Sequence, residues 1–286
     1  EEDLPSVAML DAPPEMLASL VLSDNGDTIG RYFKINRTST SYNAISPYVI
    51  DALISTEDER FYEHSGIDFR ALARAIKGLG KSGGASTITQ QLSKLIFTLQ
   101  KRKEKKKPSS GMLSRINEKV KENIIATRLE KRYCKEEIIT MYLNQFDFLH
   151  NAVGIENAAT VYFNKTAAAL SKTEAATLVG MCKNPGLYNP HSYQIRNYAR
   201  RIASRKNIAP EDISAIEIDA ARTKDSLRAI ERRNQVLFQW LRNSNSNNPA
   251  LTNKITRKEY DSLKLTPILV SYTTCLLYTS PSPRDS

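Results

Sequence analysis

The sequence predicts a mainly α-helical chain preceded by a short β-hairpin. Apolar residues recur at helical spacing from residue 46 onward, behind Ser, Thr or Asp positioned as caps; only 11 glycines interrupt the 286 residues; and the clear β signal is confined to the first 45. A chain of this size buries a substantial core without staples. Cys134, Cys182 and Cys275 form no CxxC pair and no metal-ligand spacing. Lys and Arg number 41 against 31 Asp and Glu, and the net charge of +10 favours an anionic partner: nucleic acid, an anionic bilayer or a phosphorylated substrate. No run of 18 apolar residues is present to span a membrane. The chain opens on Glu1 with no basic or apolar leader, so it reads as a fragment whose anchor lies outside it.

The hairpin is expected at Leu17 to Ser23 and Thr28 to Phe33, around Asp24-Asn25-Gly26, where Asn-Gly supplies positive φ angles. It belongs to an N-terminal segment, residues 1–45. Ser46-Pro47 then gives an N-cap and a first helical residue, and Val49, Ile50, Leu53 and Ile54 carry a helix to Glu57. Asp68 can cap a second helix with Phe69, Leu72, Ala73 and Ile76 on one face, ended by a loop holding Gly78, Gly80, Gly83 and Gly84. A third helix follows Ser86, with Ile88, Leu92, Leu95, Ile96 and Leu99 facing the core and Gln90, Gln91 and Lys94 opposite. The run Lys101 to Lys107 and the breaker Pro108 to Gly111 form a solvated loop. Leu113, Ile116, Val120 and Ile124 build the next helix, Ile138 to Leu143 another, and Ser171 to Glu174 is a capping box. A basic helical stretch reaches Leu241, residues 243–273 read as a linker, and residues 274–286 resemble a non-native tail.

Two carboxylate neighbourhoods carry the chemistry. Glu57 stands at a helix C-terminus beside Asp58, which places negative charge around a candidate proton acceptor, and Glu122 lies in a helix that also presents Lys119. Paired carboxylates on separate elements suit glycosyl chemistry, where one handles a hydroxyl proton and the other the charge at the leaving group. Gly84 to Gln91 is a glycine loop feeding a hydroxyl-rich helix start, where Ser86, Thr87 and Lys94 could hold phosphate oxygens; Ser86 or Thr87 could equally serve only as a cap. His64 has no second His or Cys ligand nearby and reads as a structural hydrogen-bonder.

The order Glu57-Asp58-x-x-Phe61-x-x-His64-x-Gly66, then Gly84-Ala85-Ser86-Thr87-Ile88-Thr89-Gln90-Gln91-Leu92-x-Lys94, resembles the first two motifs of the peptidoglycan glycosyltransferase domain of class A penicillin-binding proteins. Three further matches follow in order: Lys119-x-x-Glu122, Tyr142-Leu143-Asn144 with Gly154, and Glu174 to Met181 running on to Pro185 and Tyr188. The resemblance covers roughly residues 17–242. It implies a lysozyme-like fold over 46–242, with 195–228 as an insertion and 243–273 leading toward a transpeptidase outside this chain. No Ser-x-x-Lys acyl-transfer motif is present.

The activity implied is polymerisation of lipid II into β-1,4-linked glycan with inversion and release of undecaprenyl pyrophosphate. Glu57 matches the base and Glu122 the second essential carboxylate. Asp58, Phe61, Ser86, Thr89, Gln90, Gln91, Lys94 and Lys119 match substrate-contacting positions. No cofactor is obligatory, although a divalent cation, Mg or Mn, could assist at the diphosphate. The implied partners are lipid II, the growing strand, the membrane surface, cell-wall synthesis proteins and the inhibitor moenomycin, with no nucleic acid; the implied location is the extracytoplasmic face of the bacterial inner membrane. Glu118 stands where the family has Arg, with Arg115 as its substitute one turn earlier, and Leu149 and Asn164 stand where glycines are common. Leu149 implies a different turn, whereas Asn tolerates the left-handed conformation. Two competing readings are a glycan-cleaving lysozyme-like enzyme and a basic, non-catalytic nucleic-acid or membrane-binding module.

Overall fold

The structure, a computed structural model, describes residues 19–22, 28–32, 38–77, 86–103, 112–190 and 197–271. The hairpin turn at 24–26, the glycine loop at 78–85, the lysine run from 104, the Arg115 side chain and the tail from 272 lie outside the described residues. Strands β1 (Ser19–Leu22) and β2 (Thr28–Tyr32) pair antiparallel, with Ser19 opposite Tyr32 and an irregularity between Val21 and Leu22.

The rest is helical. Helix α1 (Pro47–Glu57) begins at the expected Ser-Pro pair, but the Ser46 hydroxyl donates across the fold to Leu170 O at 2.9 Å instead of capping. Helix α2 (Phe69–Lys77) is capped by Asp68, whose Oδ1 accepts from Ala71 N at 2.9 Å. Helix α3 (Ile88–Lys103) opens on a reciprocal box: Gln90 N donates to Thr87 Oγ1 and Thr87 N donates to Gln90 Oε1. There follow α4 (Met112–Arg132), α5 (Lys135–Gln145), α6 (Ile155–Phe163), α7 (Lys172–Lys183) and the single turn α8 (Pro185–Tyr188). Helix α9 (Tyr198–Lys206), the 31-residue α10 (Ala215–Asn245) and α11 (Arg257–Leu263) complete the chain.

Packing divides these helices into two groups that share one core. Helix α1 lies against α7 and α10, which also pack on each other, while α3 packs on α4 and α5. Glycine at 180 allows the close approach of α7 and α10, because a Cβ there would stand 3.2 Å from Arg232 Cγ. The stretch 195–228 contributes α9 and the first half of α10, joined through Asp225, which accepts from Tyr198 Oη at 3.0 Å and Arg201 Nη1 at 3.4 Å, both on α9.

Three expectations are revised. On α4 the buried residues are Ile125, Ala126 and Leu129, while Ile116 and Val120 are 52% and 50% exposed and Ile124 is exposed as well. On α2, Phe69 and Leu72 face outward and Ala71 is buried. Both stripes are helical in period, but period states only that one side is apolar and not that a partner covers it. The Asn-rich run read as a linker is packed: Asn243 Nδ2 donates to Ser55 O, Asn248 Nδ2 to Glu59 O, and the Asp51 carboxylate accepts from Thr252 N, Asn253 N and Asn253 Nδ2 at 2.7–3.0 Å. Asparagine amides are efficient donors to exposed carbonyls, so a composition typical of linkers serves here to dock the chain. Arg233 then reaches Lys264 O and Thr266 O.

The turn at Leu149 keeps the backbone shape that glycine would take. Leu149, His150 and Asn151 have φ of 68°, 51° and 61°, held by Leu149 N donating to Asp147 Oδ1 and Ala152 N to Leu149 O. Asn164 closes α6 in the left-handed conformation, as its residue type predicts. Ser171 and Glu174 form the expected capping box, and Lys165 adds an ion pair to Glu174 at 2.9 Å. Partial burial pushes the Glu174 carboxyl up, but Lys165 and the Ser171 backbone outweigh it and hold it below its ordinary range.

Candidate active site

Glu57 closes α1 at the seam between the two helix groups, and each of its carboxylate oxygens is held. Gln91 Nε2, from α3, donates to Oε2 at 3.0 Å, and Arg232 Nη2, from α10, donates to Oε1 at 3.2 Å. Gln91 is itself oriented, because Tyr142 of α5 donates its hydroxyl to Gln91 Oε1 at 3.0 Å, which turns the amide NH2 toward Glu57. Burial pushes the Tyr142 phenol well above its ordinary value, so this donor stays protonated. Burial also pushes the neighbouring Cys182 thiol up to about 12. The anionic setting expected from Asp58 and the helix end is therefore answered by a cation that arrives from the far end of the sequence.

Asp58 points away from Glu57 into the framework. It accepts from His64 Nε2 at 3.0 Å and, through Oδ2, from Ile88 N at 3.1 Å, so it fastens the end of α1 to the start of α3. Phe61 is fully buried, with Lys135 Nζ 4.4 Å from its ring centre. Thr89 is also fully buried and donates to Glu130 Oε1 at 2.5 Å; Glu130 in turn pairs with Lys135 at 2.7 Å. Gln90 is buried and donates through Nε2 to Asn123 Oδ1 at 2.8 Å, correcting its expected place on the outer face of α3. Phe61, Thr89 and Gln90 hold the site from behind and Asp58 joins that framework at the edge of the cleft, whereas the resemblance implied substrate contact for each.

The remaining residues reach open space. An open cleft of about 250 Å³ is lined by Glu57, Asp58, Glu59, Asp68, Ala71, Arg74, Ser86 and Thr87. At Ser86, one of the lining residues, Lys119 Nζ donates to Oγ at 3.1 Å and also to Glu122 Oε2 at 3.0 Å, so the residues taken from the second and third motifs meet at one point. Lys94 is exposed on α3, one turn beyond Gln91. Thr87 supplies the cap, which leaves the Ser86 hydroxyl to Lys119. The Glu118 side chain is half-buried on the same helix as Lys119 and Glu122. One wall thus offers a fixed carboxylate as a proton acceptor and the other a cation and hydroxyl suited to phosphate oxygens.

The transglycosylase family model matches residues 25–211. The chain belongs to the transglycosylase family. Among the curated members similar to it, penicillin-binding protein 1F of Bacillus subtilis (strain 168) is 39% identical over 188 residues, covering 64% of this chain and 25% of its own. Penicillin-binding protein 1A of Escherichia coli (strain K12) is 34% identical over 229 residues, covering 78% of this chain and 26% of its own. The chain spans about a quarter of the length of these two relatives. A crystal structure of penicillin-binding protein 1A from Haemophilus influenzae aligns with 91% of this chain and 22% of its own, at 18% identity and a TM-score of 0.42.

Within this transglycosylase domain, two residues that touch the Glu57 assembly carried no assigned role in the sequence. Tyr142 stands inside the fourth motif, so its presence was legible but its bond to Gln91 was not. Arg232 opens the Arg232-Arg233-Asn234-x-Val236-Leu237 run, which also resembles the family pattern, but nothing in that run assigns the arginine a partner or a role.

Proposed function

We propose that this domain is a peptidoglycan glycosyltransferase that polymerises lipid II. The supporting observation is the Glu57 carboxylate, fixed at both oxygens by Gln91 and Arg232, on a cleft that Ser86 also lines, with Lys119 bonded to that serine. Glu57 takes the proton from the 4-hydroxyl of the acceptor GlcNAc as that oxygen attacks the anomeric carbon of the lipid-linked donor. The new C–O bond forms from the face opposite the breaking anomeric C–O(phosphate) bond, and the bonding pair leaves with undecaprenyl pyrophosphate. A β-1,4 linkage results. Lys119 and Lys94 supply positive charge to the departing diphosphate, and Glu122, bonded to Lys119, holds that lysine in place.

A divalent cation would be held here chiefly by the substrate's diphosphate oxygens, whose charge it would neutralise. Among the described residues no three His, Cys, Asp or Glu side chains converge, and the Glu122 carboxylate already accepts from Lys119.

The domain works at the extracytoplasmic face of the bacterial inner membrane, where its partners are lipid II, the growing strand and other wall-synthesis proteins. Among the described residues no helix is long and apolar enough to cross a membrane. The outward-facing Ile116, Val120 and Phe69 support contact with a lipid surface, as does the lysine-rich run Lys101 to Lys107 in the sequence.

The test is polymerisation of fluorescent lipid II in detergent by the full chain, by Glu57→Gln and in the presence of moenomycin. Glycan ladders from the full chain that disappear with either treatment are expected. Turnover by folded Glu57→Gln at the parent rate overturns the assignment of the base, and release of muropeptides from purified peptidoglycan would mark a cleaving enzyme instead.

A further inference from the structure

We infer that Arg232 is the positioning residue for the catalytic carboxylate, holding Glu57 in the orientation from which it takes the acceptor proton. The inference rests on the reading of Glu57 as the base. Arg232 is anchored before it reaches Glu57: its Nε donates to Gly180 O at 3.2 Å, its guanidinium carbon lies 5.7 Å from the centre of the Tyr188 ring, and the residue is only 8% exposed. The planar fork that bonds Gly180 through Nε therefore presents Nη2 to Glu57 Oε1 at a fixed angle.

Without Arg232 the carboxylate would keep one tether. Glu57 is the last residue of α1, where no following helical turn restrains its side chain, and Gln91 alone would leave it free to rotate about the Oε2 bond. The helix that carries Arg232 is itself fixed by the next residue, since Arg233 Nη1 and Nη2 donate to Thr266 O at 2.6 Å and Lys264 O at 3.0 Å. Gly180 completes the arrangement: any side chain there would meet the Arg232 stem.

The experiment measures lipid II polymerisation by the full chain carrying Arg232→Met, Arg232→Lys or Glu57→Gln, with thermal melting to verify folding. Arg232→Met keeps the packing stem and removes the fork, so kcat should fall about 100-fold while KM stays within about threefold, the signature of a misplaced reacting group. Guanidinium ion at millimolar concentration should restore part of that kcat, which it would not do for a purely structural loss. Arg232→Lys keeps the charge but cannot bond Gly180 and Glu57 together, and it should fall about tenfold. Parent kcat in a folded Arg232→Met protein overturns the inference. If the Met variant does not fold, the Lys variant decides in the same way: a reduced kcat at unchanged KM supports it and parent kcat refutes it. Activity retained by Glu57→Gln would refute the base assignment itself, and loss in Glu57→Gln with parent kcat in the arginine variants would refute only the role of Arg232.

Discussion

Asp58→Asn separates a framework role from substrate contact at a residue whose sequence position invites the second. Gly66 N donates to His64 Nδ1, so His64 Nε2 is the donor that Asp58 receives, and Ile88 N is another. An asparagine has one acceptor oxygen. With its oxygen in the Oδ2 position the asparagine still accepts from His64 Nε2 and Ile88 N at 3.0 and 3.1 Å, but its new NH2 then lies 3.0 Å from the His64 Nε2–H as a buried donor with no acceptor. A buried donor left without an acceptor costs about 1–3 kcal/mol, and loss of the negative charge at the start of α3 adds about 0.3–1 kcal/mol. A total of roughly 2–3 kcal/mol corresponds to a fall in melting temperature of about 4–12 °C for a chain of this size. Circular dichroism melts and lipid II kinetics on the same preparation provide the assay. The expected result is a lower melting temperature and a lower kcat, since Glu57 is the adjacent residue, with KM unchanged. A melting temperature within a degree of the parent together with a raised KM would refute the framework reading and return Asp58 to the substrate surface.

Gly66→Ala should destabilise by about 2–4 kcal/mol, since φ is +92° and the new Cβ would lie 3.0 Å from the Ala126 backbone; chemical denaturation checks it. Leu149→Gly should change stability by less than about 1 kcal/mol, relief of the left-handed strain being offset by glycine entropy, whereas Leu149→Val should cost about 1–2 kcal/mol in the same assay. Burial pushes the Asp68 carboxyl up, but the Ala71 N–H and Arg60 outweigh it and hold it below its ordinary value. Folded Asp68 therefore binds fewer protons than unfolded, its stabilisation is present above the unfolded carboxylate value and is lost as pH falls through the folded one, and melts below about pH 4 should show that loss. Asp68→Asn should melt lower at pH 7 and show a shallower acid dependence.

The sequence made local features legible and left long-range ones hidden. The start of α1 at Ser46-Pro47, the Asp68 cap, the box at Ser171 and Glu174 and the left-handed Asn164 each depend on residues within one turn of each other, so short patterns suffice. The family motifs brought Glu57, Gln91, Ser86, Lys119 and Glu122 to notice; Glu57 and Ser86 line one cleft, Gln91 bonds Glu57, and Lys119 bonds both Ser86 and Glu122. The outward faces of α2 and α4 were misread because an apolar stripe does not name its partner. The bond of Arg232 to Glu57 and the docking of residues 243–253 were hidden for the same reason, since each joins residues more than 170 positions apart.

Those separations affect the order in which the molecule can assemble. Asp51 accepts from Asn253, 202 residues later, and Glu57 accepts from Arg232, 175 residues later. A chain emerging from its N-terminus presents both carboxylates long before the groups that receive them exist, and closing such loops is entropically slow. During that interval α1 has no partner in α7 or α10, and its apolar side chains Val49, Leu53 and Ile54 are open to other chains. Synthesis of α10 therefore covers α1 and secures the Glu57 carboxylate together, so a chain that stops before it has neither.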